Sequence, residues 1–140
     1  MSRLPRRTAA FIGLRPDRAR HRGNLGLALL KARRPADAAA EFVRVLEEEP
    51  ADVETRSRLG LALAQQGKLE EASVEFGRVV EAAPRDLIGL THLGLVLTDL
   101  GRPAEAVSYL ERAVMLEPTS AVLRGALARA RNATAARPRP

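Results

Sequence analysis

Cysteine and tryptophan are both missing from this 140-residue chain, and one tyrosine and three phenylalanines are all the aromatics it has. Without cysteine there is no disulfide, no thiolate metal site and no cysteine nucleophile. So few aromatics leave little to stack on nucleic-acid bases. β-Branched residues are thin outside short runs, while alanine, leucine, arginine and glutamate dominate, a balance that favours helix over strand. Nothing approaches the roughly 20 consecutive apolar residues of a membrane span. Arg6-Arg7 followed by Thr8 to Leu14 has the outline of a twin-arginine signal, but Arg15-Pro16-Asp17 cuts the apolar run short. No export signal is read there, and the expected location is cytoplasmic.

What the chain does have is repetition. Leu59-Gly60, Ala72, Phe76 and Pro84 are matched thirty-four residues upstream by Leu25-Gly26, Ala38, Phe42 and Pro50. Thirty-four downstream stand Leu93-Gly94, Ala106, Leu110 and Pro118. One period in three copies is the signature of stacked supersecondary units. Within each copy, apolar residues recur at helical spacing in two stretches. In the first copy Leu25, Leu29 and Leu30 mark one helix, and Ala38, Phe42, Val45 and Leu46 mark a second. Pro35 and Pro103 are placed to open second helices, and Gly67 and Gly101 to close first helices in a left-handed turn. Arg33 stands where the other copies have that glycine, so the first turn is expected to differ in detail. Asp52, Asp86 and Ser120 precede first helices and suit N-caps.

The expected architecture is all-α: an α-α superhelix of three helix-turn-helix repeats, 19–52, 53–86 and 87–120. A capping helix over 121–131 covers the last apolar face. Residues 1–18 read as a basic arm or a worn half-repeat, with Ala9, Ala10, Phe11, Ile12 and Leu14 available to cover the first repeat. Residues 132–140, ending Arg-Pro-Arg-Pro, read as a disordered basic tail.

The net charge of +6 is unevenly spread. Residues 1–34 carry ten Lys/Arg against the single Asp17, and residues 35–117 carry eight against sixteen Asp/Glu. The remainder adds five arginines and no acid. The body is acidic and both ends are basic.

A unit of helix, turn, helix and turn in 34 residues resembles the tetratricopeptide repeat family. Leu-Gly at 25-26, 59-60 and 93-94, Ala38, Ala72 and Ala106, and the three prolines match its pattern. Two anchors depart from it. The family's tryptophan place holds Arg22, Arg56 and Leu90, and its tyrosine place holds Leu29, Leu63 and Leu97.

The resemblance implies that the first helices line a concave groove that binds peptide. Its lining would be Arg20, Asn24, Leu27 and Lys31, then Glu54, Arg58, Leu61 and Gln65, then Ile88, His92, Leu95 and Asp99. Arg129 would close the far end. Such a groove would take a segment of another protein with acidic character, Arg58 binding a carboxylate with help from Arg20 or Arg129. The family's carboxylate clamp uses lysine and asparagine where this chain has Gly23 and Leu27, so chaperone-tail recognition of that kind is not implied.

Catalytic chemistry finds no foothold. His21 and His92 fall in different repeats with no recurring partner at metal-ligand spacing. Gly23-Asn24-Leu25-Gly26 lies inside a helix rather than after a strand, which argues against a phosphate loop. The expectation is a scaffold or adaptor without cofactor or metal. The alternative is a binder of nucleic acid or another polyanion through the basic ends, with self-association of the repeat array as a third possibility.

Overall fold

The computed structural model describes residues 16–136, which form seven α-helices and no strand. In chain order they are α1 (Pro16–Lys31), α2 (Pro35–Glu48), α3 (Val53–Gln65), α4 (Leu69–Ala82), α5 (Leu87–Asp99), α6 (Pro103–Leu116) and α7 (Ala121–Ala136). The pairs α1–α2, α3–α4 and α5–α6 are the three repeats, and each second helix packs on the next first helix. Residues 1–15 and 137–140, which hold most of the expected arm and the end of the expected tail, lie outside the described residues.

Two boundaries differ from the sequence reading. The first helix starts at Pro16, where a proline at the opening position costs no hydrogen bond. The last helix runs to Ala136 rather than ending near Arg131. Ala133, Ala135 and Ala136 are strong helix formers, and the first stop signal is the Arg137-Pro138 step. The period of the apolar pattern ends before the helix does.

Small residues set the distance between the paired helices. Ala38, Ala72 and Ala106 are fully buried. A methyl group on Gly26 would lie 2.5 Å from the Phe42 ring, one on Gly60 would lie 2.8 Å from Phe76, and one on Gly94 would collide with Leu110. Those glycines are what allow Phe42, Phe76 and Leu110 to reach the core. Each buried ring stabilises the fold by about 1.5–3 kcal/mol.

The N-caps form as expected. Asp52 accepts from Thr55 N at 3.1 Å, Asp86 from Gly89 N at 2.8 Å, and Ser120 Oγ from Leu123 N at 3.3 Å.

The first turn, by contrast, does not differ. Arg33 takes φ 60°, beside 78° for Gly67 and Gly101. The closing bond runs from Arg34 N to Leu29 O at 2.8 Å, matching Lys68 N to Leu63 O and Arg102 N to Leu97 O. Packing of α1 on α2 dictates the turn, and Arg33 accepts a left-handed backbone that disfavours a side chain.

The first copy departs elsewhere. Leu25 is 49% exposed, whereas Leu59 and Leu93 are 5% and 3% exposed. The latter two lie under the second helix of the preceding unit, and no described helix precedes α1.

Candidate functional site

Neighbouring first helices touch along the row α1, α3, α5 and α7, while α2, α4 and α6 do not touch one another. The row of first helices is therefore the inner side of the curve, and the second helices splay on the outer side. Four successive first helices share that inner side.

All thirteen sequence-selected residues sit on these four helices and remain accessible. Arg20, Asn24 and Lys31 on α1, Glu54 and Gln65 on α3, Ile88 and Asp99 on α5, and Arg129 on α7 are exposed. Leu27, Leu61 and Leu95 are half-buried and rest on the core, which makes them the floor of the face. Four of the thirteen are cations and two are acids, so the face leans positive.

Three of the chosen side chains, Arg58, Glu54 and His92, are already engaged. Arg58 donates from Nη2 to Glu54 Oε1 at 2.5 Å, one turn earlier on α3. That pair is solvent-facing on the glutamate side, so breaking it costs little. His92 is less free. Its ring stacks on Phe76 of the preceding unit at 5.3 Å with 25° between planes. Its Nδ1–H donates to Ile88 O at 2.9 Å, which leaves only Nε2 for a ligand. His92 belongs to the joint between repeats as much as to the groove.

The residues in the family's tryptophan place explain themselves through a partner that the sequence reading missed. Arg56 donates to Glu75 Oε2 at 2.8 Å and to Pro50 O at 2.9 Å. Arg22 faces Glu41 at 3.6 Å in the same way. In the third unit the same two places hold Leu90 and Tyr109, an apolar pair. A signal was present: Arg–Glu, Arg–Glu and Leu–Tyr recur at a constant separation along the chain.

The outer side offers different surfaces. A depression of about 340 Å³ lies between α2 and α4, lined by Ala40, Val43, Val74 and Glu71 over Leu59 and Leu63. Another, of about 490 Å³, lies where α7 meets α6. No cluster of three or more potential metal ligands occurs among the described residues. No described helix is long and apolar enough to cross a membrane.

A family model described as tetratricopeptide repeat matches residues 9–52, 23–86 and 58–121. No curated protein sequence matches the chain. Solved structures do. The first TPR of Spaghetti (RPAP3), bound to the HSP90 peptide SRMEEVD, aligns with a TM-score of 0.79 at 18% identity, over 86% of this chain and 98% of that one. The second TPR domain of human RPAP3, in complex with the HSP70 peptide SGPTIEEVD, gives 0.77 at 19% identity, over 81% and 95%. MamA from Desulfovibrio magneticus RS-1 gives 0.81 at 24% identity, over 84% of this chain and 67% of that one. At such identities the likeness is one of fold.

Proposed function

The chain belongs to the tetratricopeptide repeat family, and from that premise we propose that it is a non-catalytic interaction module, a scaffold or adaptor that holds a segment of another protein along its first helices. The observation that carries this reading is the division of roles along those helices. The Leu-Gly, alanine and Phe76 or Leu110 anchors of the second and third units are buried, while an adjacent face on all four first helices stays accessible, with a leucine floor on three of them and a cationic balance. A segment with carboxylates suits that face. Arg58, once released from Glu54, offers a two-pronged donor, and Arg20 and Arg129 stand towards the two ends.

Two of the structural relatives hold peptides with acidic residues near their ends, SRMEEVD and SGPTIEEVD. Gly23 and Leu27 stand where the clamp of chaperone-tail binders needs lysine and asparagine. The proposed ligand is therefore an acidic segment recognised by other contacts. An affinity capture comparing the parent with Arg58→Glu tests this. The account expects at least a tenfold loss of the captured partner; equal recovery by both sinks the groove assignment.

Polyanion binding is the second reading, favoured by α7, where Arg124, Arg129 and Arg131 are exposed and no acid is present. A gel shift across a salt series separates the two. Phosphate contacts give an affinity that falls steeply with salt, and an unshifted nucleic acid at low salt removes the idea.

A further inference from the structure

The end of the array contains a seat for a helix, and the repeat register says what kind. In the second unit, α4 covers the face of α3 that carries Arg56, Leu59, Gly60 and Leu63. Glu75 pairs with Arg56, and Phe76 presses on Gly60. Two periods on, the same positions of α7 are Arg124, Leu127, Ala128 and Arg131. Arg124, Ala128 and Arg131 are exposed with no described second helix over them, Leu127 is already buried towards the core, and α7 packs only on α6 and α5. The place that α4 fills in the second unit is here the 490 Å³ groove, whose apolar walls are Leu127, Ala128, Val114 and Met115.

Met115 is 80% exposed, and the corresponding residues of the earlier units are Glu47 and Glu81. The wall is apolar where the other copies face water. Arg124 makes no ion pair among the described residues, although Arg22 and Arg56 at its position each have a glutamate from a second helix. Arg131 replaces a buried leucine and reaches Glu111 at 3.6 Å. An apolar floor flanked by two arginines, one lacking the carboxylate its counterparts have, is the imprint of an amphipathic acidic helix.

We infer that this seat docks such a helix from another protein, lying as a second helix of a fourth unit and giving a carboxylate to Arg124. Residues 1–15 and 137–140 contain no Asp or Glu, so neither of these two segments is an acidic helix that matches the imprint. The acidic helices α2 and α4 of a second copy are already seated on α1 and α3. Ala128 in place of glycine sets one more requirement. The visitor carries a side chain smaller than phenylalanine opposite it, because a methyl group at Gly60 would meet the Phe76 ring. This surface is separate from the first-helix groove and does not depend on that reading.

The test is a titration of the isotope-labelled full chain with a 14-residue peptide copying α4 and carrying Phe76→Ala, followed by amide chemical shifts. Isolated short helices are marginal, so the range extends to millimolar. Shifts centred on Met115, Arg124, Ala128 and Arg131 are expected. Arg124→Glu should weaken binding at least tenfold and Arg44→Glu, on the outer row, should leave it unchanged. A second peptide adding Ala72→Asp raises the negative charge but spoils the apolar face, and it should bind at least tenfold more weakly. Undiminished binding of that peptide reduces the seat to a basic patch and overturns the inference. So do shifts confined to the first-helix groove, no shifts at all, or a concentration-dependent dimer abolished by Arg124→Glu.

Discussion

At the scale of single residues, the repeat imposes backbone and spacing on side chains that do not favour them. Arg33 is the clearest case. Its φ of 60° costs a residue with a Cβ about 1–2 kcal/mol, and glycine is free of that penalty. Arg33→Gly should therefore raise stability by about 1 kcal/mol, seen as a higher midpoint in chemical denaturation. A lower midpoint would mean that the turn is set otherwise. Ala72 is the opposite case, fully buried against the neighbouring helix. Ala72→Leu should overpack that contact and cost about 1–3 kcal/mol. A melt superimposed on the parent's would contradict the packing described.

At the scale of elements, the pairing of a first helix with its second helix is where the chain has found two solutions. Arg56 and Glu75 are 17% and 14% exposed, and the third unit uses Leu90 and Tyr109 at the same places. Arg56→Leu alone leaves the largely buried Glu75 with only the longer contact to the exposed Arg78, at 3.4 Å, and should cost about 1–3 kcal/mol. Adding Glu75→Tyr rebuilds the third unit's pair in the second and should return stability to within about 1 kcal/mol of the parent. A double variant as unstable as the sum of its singles would show that the two sites are not coupled.

Helix boundaries other than the start of α1 and the end of α7, the caps and the prolines that open α2 and α6 were legible in the sequence because they depend on neighbours along the chain. The Arg–Glu pairs were not read, because they need two helices side by side, though their constant spacing was visible. The exposure of Leu25 also escaped, since it depends on what lies before α1 rather than on Leu25 itself. Of the candidate site, the sequence conveyed which residues share a side. It did not convey that His92 would lie against Phe76 or that Arg58 would hold Glu54.

At the scale of the whole molecule, the proposed function puts recognition on a different face of the first helices from the one that packs. Repeat arrays gain most of their stability from interfaces between neighbours, and α7 supplies the last of them through buried Leu123, Ala126, Leu127 and Ala130. The inner face stays accessible, and the proposed function places the bound segment there. The most direct test measures the affinity of the captured partner by calorimetry for two charge reversals of equal size on opposite faces. Arg58 is on α3 at a position proposed to face the inner side, and Arg44 is exposed on α2, a helix of the outer row. With both variants folded by circular dichroism, the account predicts at least a tenfold loss for Arg58→Glu and less than a twofold change for Arg44→Glu. Equal losses, or a loss for Arg44→Glu alone, would contradict it.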